Sequence, residues 1–209
     1  MSATISTEEA IERARRLAAG GRRAILGITG PPGAGKSTLA GAIAGDLGDR
    51  TRVVGMDGFH LAQAELARLG RADRKGALDT FDGDGYVALL RRLRAADEDV
   101  VYAPVFRREI EEPVNAAVAV PRDVPLVVTE GNYLLVDEGP WVAVRGLLDE
   151  AWYVVQDEAT RVRLLIARHV AFGKAPDVAR EWVLRSDERN AELVARTRPR
   201  ADALVRIPG

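Results

Sequence analysis

Short unbroken apolar runs alternate along this chain with longer stretches in which apolar side chains recur every three or four positions. That is the pattern of buried strands interleaved with amphipathic helices. It predicts a first helix over 10–19, where Ser6 and Glu9 stand at the separation of a capping box and Gly20-Gly21 ends the periodicity. The run at 24–29 predicts a buried strand, and 38–44 is helical in character. A short strand over 52–56 ends at Asp57, a helix-like piece over 61–69 leads into a charged loop reaching Asp82, and an amphipathic helix follows over 86–96. Two apolar runs, 100–106 and 114–120, flank the charged segment 107–112 and read as extended or hairpin-like. Residues 126–129 form another buried strand, which delivers Glu130 at its end. Next come a short helix over 141–148, a strand over 151–155, helices over 160–172, 177–184 and 187–196, and a last strand over 203–207. Pro176 opens the second of those helices, in the first turn, where proline is tolerated. The alternation argues for a mostly parallel sheet covered on both faces, a three-layer α/β/α sandwich. No repeat or low-complexity linker interrupts it, so one domain over 1–209 is expected.

The strand at 24–29 runs into Gly30-Pro31-Pro32-Gly33-Ala34-Gly35-Lys36-Ser37-Thr38, a complete phosphate-binding loop between a strand and a helix. The spacing is a physical requirement, because the loop must wrap a triphosphate closely enough for successive N–H groups to point at its oxygens. Gly33 and Gly35 have no Cβ to block that approach. Pro31 and Pro32 cannot donate hydrogen bonds, so the donors come from Gly33 through Thr38, with Gly30 and Ala34 completing the loop. The helix start beneath adds partial positive charge. Lys36 would reach the β- and γ-phosphates, and the Ser37 hydroxyl would coordinate Mg²⁺. The sandwich is therefore expected to be of the P-loop NTPase type.

Composition adds limits. With 47% hydrophobic residues among 209, the chain can bury a substantial core. A formal net charge of -1 argues against a general grip on nucleic acid, and the absence of cysteine excludes disulfides, thiolate metal sites and cysteine nucleophiles. The first residues carry no apolar signal-peptide core, and no apolar run approaches the roughly 20 residues that span a bilayer. No membrane partner and a cytoplasmic location are the expectations. Only Lys36, Lys75 and Lys174 are lysines, each beside a glycine, in a chain whose general cation is arginine. Lys75 and Lys174 thus stand out weakly as places wanting a compact point charge.

In an open parallel sheet the ligand crevice lies at the carboxyl ends of the strands, where the loop at 30–38, Asp57 and Glu130 all fall. Glu130 is placed to bind Mg²⁺ directly or through water; a helix cap or turn is the plainer reading. Asp57 is the candidate general base for an acceptor hydroxyl beside the γ-phosphate, against an ordinary Asp57-Gly58 turn. His60 can touch the acceptor or serve as a structural hydrogen-bonding residue. Lys75 can meet an anionic acceptor or be a solvated lysine. Asn132 and Tyr133 are candidates for lining the pocket. Trp141, Trp152 and Trp182 read as core or interface residues, and His169 as packing or surface.

Asp57-Gly58-Phe59-His60-Leu61, Arg74-Lys75-Gly76 with Thr80-Phe81-Asp82, Pro104-Val105-Phe106-Arg107-Arg108 and Glu130-Gly131-Asn132-Tyr133-Leu134-Leu135 together resemble the uridine kinase, pantothenate kinase and phosphoribulokinase group of P-loop kinases. The likeness runs from about residue 22 to the C-terminus, and is strongest to a nucleoside/nucleotide kinase-like branch that includes proteins labelled as fructose kinases. It implies that Asp57 is the catalytic base, Glu130 the Mg²⁺-associated acid and the segment around Arg107 the acceptor-binding wall. It also implies a lid over about 160–176, from which Arg168, seven residues from Arg161 and on the same helix face, closes over the triphosphate, with Lys174, Arg161 and Arg163 ranked after it. Relatives that dimerise make a homodimer the expectation. Uridine kinases usually carry a Tyr-Asp-Phe signature and a downstream histidine, both missing at 104–107, so uracil recognition is not implied.

These readings converge on a kinase that moves the γ-phosphoryl of ATP, with Mg²⁺, to a hydroxyl of a small metabolite: a nucleoside, a pantothenate-like alcohol or a sugar such as fructose. The alternative class is a P-loop ATPase or nucleotide-binding regulator without an acceptor. A regulatory GTPase is excluded, because its guanine-reading Asn-Lys-x-Asp segment needs a lysine after an asparagine and none of the three has one.

Overall fold

A computed structural model describes residues 3–207. In chain order the elements are β1 (Ala3–Ile5), α1 (Thr7–Ala18), β2 (Ala24–Thr29), α2 (Lys36–Leu47), β3 (Thr51–Gly55), α3 (Gln63–Arg68) and α4 (Gly83–Ala95). The hairpin β4 (Val100–Arg107) and β5 (Glu112–Pro121) comes next, then β6 (Leu126–Glu130), α5 (Val144–Leu147), β7 (Glu150–Val155), α6 (Glu158–Ala171), α7 (Pro176–Trp182), α8 (Glu188–Ala195) and β8 (Ala203–Arg206).

Six strands form one sheet in the order β1-β8-β7-β2-β6-β3, every neighbouring pair parallel. Its central strand β2 is buried along its whole length, as its unbroken apolar run requires. Alternation then sends Leu26 and Val128 to the layer with α1 and α2, and Ile25 and Val127 to the layer with α4 and α5. The α/β/α sandwich is therefore built by strands apolar on both faces. β1 is the one strand the sequence pattern does not announce: three residues show no period, and its place comes from pairing Ala3, Thr4 and Ile5 with Ala203, Leu204 and Val205.

Local signals explain most boundaries. The capping box of α1 is formed, with the Glu9 N–H donating to Ser6 Oγ at 3.2 Å and the Ser6 N–H donating to Glu9 Oε2 at 2.7 Å. Segment 100–121 is a separate antiparallel ribbon, with Arg107 opposite Glu112. Arg23, nearly buried, anchors its base to the rest of the fold by donating to the carbonyls of Leu93, Val124 and Pro121. The two helices expected over 177–184 and 187–196 are joined by a single π-helical turn, Val183–Asp187, rather than by a break. Wide turns of this kind recur beside functional sites.

Candidate active site

The strand order sets three carboxyl ends side by side. Ile28 of β2 and Gly55 of β3 both stand in register with Glu130 of β6, so the phosphate loop, Glu130 and the turn bearing Asp57 emerge from adjacent strands. Between them opens a cavity of about 440 Å³, lined among others by Gly33, Lys36, Ser37, Asp57, His60, Lys75, Glu130, Arg168 and Lys174. Glu130 is fixed from the preceding residue: Thr129 Oγ1 lies 2.7 Å from the Val54 carbonyl and 2.6 Å from the buried Tyr86 hydroxyl.

The loop has the shape its glycines permit. Gly35 caps α2 in the left-handed region with φ of 92°, and a Cβ there would fall 2.7 Å from Ile207 Cδ1. The first α-type bond of the helix runs from the Leu39 N–H to the Gly35 carbonyl, which leaves the amides of Lys36, Ser37 and Thr38 free of partners inside the helix. Lys36 Nζ folds back to donate to the carbonyls of Gly30 at 2.9 Å and Pro31 at 3.0 Å and to Asn132 Oδ1 at 2.7 Å. Burial pushes its pKa down to about 8 even though Glu130 and Asp57 pull the other way. The Ser37 hydroxyl donates to Glu130 Oε1 at 3.0 Å. Burial, with the nearby Asp57, drives the Glu130 carboxyl above its ordinary range, against the opposing pull of Lys36. A half-buried carboxylate and a hydroxyl facing each other are the oxygen donors a Mg²⁺ ion takes when phosphates fill the rest of its shell. Among the described residues no trio of His, Asp and Glu side chains could hold a metal alone.

Asp57 sits in a 3₁₀ turn over Met56–Phe59. That turn is pressed against the hairpin: a Cβ on Gly58 would lie 2.6 Å from the Pro104 carbonyl oxygen, so only glycine fits. Gly58→Ala should therefore shift the turn, leaving nucleotide affinity intact while acceptor-dependent turnover falls about 10²-fold, as a displacement near 1 Å would cause. Steady-state ADP release and nucleotide titration would separate the two. Asp57 Oδ2 meets Arg108 Nη2 at 3.4 Å. The Asp57 carbonyl accepts from the His60 ring at Nδ1, 2.8 Å away, which leaves Nε2 as an acceptor in the neutral ring. The imidazole is packed 4.0 Å from the Phe81 ring centroid and 4.6 Å from that of Phe106, and this burial lowers its pKa.

Several expected residues are placed differently. Arg107 is exposed and absent from the cavity wall; its neighbours Phe106 and Arg108 line it, Phe106 from the opposite face of β4 and Arg108 from the turn that follows the strand. Tyr133 is fully buried behind the wall and donates its hydroxyl to the Gly76 carbonyl at 2.6 Å, so it supports the pocket without lining it. Arg161 is buried, gives one N–H to the Pro32 carbonyl at 3.0 Å and pairs with Glu188 at 2.7 Å; it braces the phosphate loop and is no free lid cation. Arg168 does reach the cavity, where burial and the neighbouring Arg108 hold its pKa below the usual guanidinium value. Lys174 lies 4.9 Å over the Trp182 ring, and Trp182 and His169 line the cavity rather than the core or the outer surface. Asn132, Gln63, Phe172, Asp187 and Asn190 complete parts of the wall. Of these only Asn132 had a signal, its position directly after a strand-terminal acid. The others arrive from three separate helical segments.

No family model matches the chain. It is 38% identical over 153 residues to the "ATP-dependent kinase-like protein notR'" of Aspergillus versicolor, covering 68% of this chain and 88% of that one. A Schizosaccharomyces pombe protein named "putative uridine kinase" is 33% identical over 178 residues, 80% of this chain and 75% of that protein. This chain belongs to the uridine kinase, pantothenate kinase and phosphoribulokinase group of P-loop kinases. As a kinase of this group it also superposes on the solved "putative fructose transport system kinase" of Silicibacter sp. TM1040, with a TM-score of 0.85 at 28% identity over 98% of this chain and 100% of that one. The fold and the family expected from the sequence motifs are thus both found, and the chain is an ATP-binding small-molecule kinase. Among its described residues no helix is long and apolar enough to cross a membrane.

Proposed function

We propose that this kinase transfers the γ-phosphoryl group of ATP to a hydroxyl of a small metabolite, with Asp57 as general base. The observation that carries the reading is the meeting of Asp57, Glu130, Ser37 and Lys36 in one cavity at three adjacent strand ends. The amides from Gly33 through Thr38 and the Lys36 ammonium hold the phosphates. Ser37 and Glu130 would hold Mg²⁺, which when bound would supply positive charge to the phosphates. The acceptor O–H gives its proton to the Asp57 carboxylate as the new O–P bond forms, and the bond from the γ-phosphorus to the bridging oxygen breaks to release ADP. Arg168 and Lys174, carried on the lid segment 160–176, meet charge that spreads onto the transferred group. A single domain carries all these parts.

ADP release measured with and without candidate alcohols tests this. A rate that is negligible with ATP alone and rises with one hydroxylated compound supports the kinase reading. Hydrolysis indifferent to every acceptor would favour an ATPase, which has no use for a base at Asp57.

A further inference from the structure

On the acceptor side of the cavity Lys75 and Arg108 line the wall together with Asp57 and Glu111. Lys75 Nζ donates to the main-chain carbonyl of Glu111 and, at 3.4 Å, to Gln63 Oε1, and lies 5.1 Å over the Phe106 ring. All three partners are uncharged, and Lys75 makes no ion pair among the described residues. Nor is it a loose surface lysine. The next residue, Gly76, is held on both sides: its carbonyl accepts from Tyr133 at 2.6 Å and Asn190 at 3.3 Å, and its N–H donates to the buried Thr80 Oγ1 at 3.0 Å. Arg108 approaches from the hairpin with, among the described residues, a single carboxylate partner, Asp57, at the long distance of 3.4 Å, and its guanidinium stands 5.8 Å over Phe172. His60 lies in the field of both cations. Lys36 and Arg168 stand with the phosphate loop and the lid, so Lys75 and Arg108 are a second cationic pair.

We propose that the acceptor of this kinase carries an anionic group, a carboxylate or a phosphate ester, gripped between Lys75 and Arg108 while its hydroxyl faces Asp57. This rests on the kinase reading of the same cavity. The pair offers a point charge and a planar fork, and both anion types accept hydrogen bonds from such donors. Packing of Lys75 on Phe106 and of Arg108 on Phe172 keeps the two heads in place before an acceptor arrives.

The test uses the full chain loaded with Mg²⁺ and a non-hydrolysable ATP analogue, so that the phosphate loop is filled. Inorganic phosphate and acetate are then titrated in separate calorimetric runs. One of them should bind with one-to-one stoichiometry, phosphate pointing to a phosphorylated acceptor and acetate to a hydroxy acid. Lys75→Met and Arg108→Met should each weaken that binding at least about tenfold, as loss of a charged hydrogen-bond donor does. The analogue's own affinity and the unfolding temperature report that each variant is folded. If neither anion binds the loaded protein, or if either variant binds as the parent does, the two-cation site is wrong. ADP release with a neutral alcohol but no anion binding would retire this inference and leave the kinase reading standing. Anion binding without any acceptor-dependent ADP release would do the reverse.

Discussion

Asp57→Asn should cut acceptor phosphorylation by about 10²- to 10⁴-fold, the range a positioned general base contributes, while ATP affinity is largely kept. The substitution preserves shape and removes only the ability to take the hydroxyl proton. Its structural consequences are small: the 3₁₀ turn is held by Gly58 against Pro104 and by the His60 bond to the Asp57 carbonyl, neither of which uses the carboxylate. The carboxylate's ion pair to Arg108, at 3.4 Å, is long and about one-third exposed, so losing it costs little stability. The charge does matter to its neighbours. Asp57 helps to drive Glu130 upward and supports the protonated form of Lys36, so in D57N the Glu130 carboxyl becomes more acidic and Lys36 loses its proton at still lower pH. Single-turnover rates with saturating acceptor, beside nucleotide titrations, distinguish the chemical defect from a binding defect. A variant that turns over its acceptor at the parent rate would remove Asp57 from the role of base.

What the sequence disclosed and what it hid divide along one physical line. Features set by neighbours in sequence were legible: the capping box at Ser6 and Glu9, the buried run of β2, the glycine-bearing loop at 30–38, Glu130 at the end of β6 and Asp57 just past the end of β3. That the sheet is parallel followed from the alternation of elements; the order of its strands did not. Features set by register or by distant packing were not. β1 exists only because β8 offers it an edge. The turn that follows β4 put Arg108 rather than Arg107 on the wall, a matter of one position. Arg161 looked like a lid cation because it shares a helix face with Arg168, yet Pro32 and Glu188, far away in sequence, claim it. Trp182 and His169 carry no local mark of a cavity. They become wall residues because the π-helical turn Val183–Asp187 and the end of α6 bring Asp187 and His169 to 2.9 Å.

The second large effect belongs to Lys36. Lys36→Met should lower phosphoryl transfer by about 10²- to 10³-fold, the scale for deleting one preorganised charged donor, while the free protein keeps most of its stability. The reason lies in opposing costs. In the free protein the ammonium is buried with only polar partners in direct contact, and its pKa of about 8 against an ordinary 10.5 shows that the fold disfavours its charge. Methionine removes that burden, and with it the donor to Gly30, Pro31 and Asn132. Linkage fixes the sign of the pH dependence. Between pH 8 and 10.5 the unfolded chain binds the Lys36 proton and the folded chain does not, so the parent's stability should rise with pH across that window relative to the variant's. Nucleotide binding runs the other way. A triphosphate supplies the negative charge that Lys36 lacks, so binding above pH 8 must draw a proton onto Nζ, and affinity should fall as pH climbs past that point. Titration of a non-hydrolysable ATP analogue from pH 7 to about 9.5, with proton uptake read from buffers of different ionisation enthalpy, checks this directly. A parent protein whose affinity stays flat across pH 8, or a K36M variant that shows the same proton uptake, would mean that another group carries the linkage and that Lys36 does not meet the phosphates.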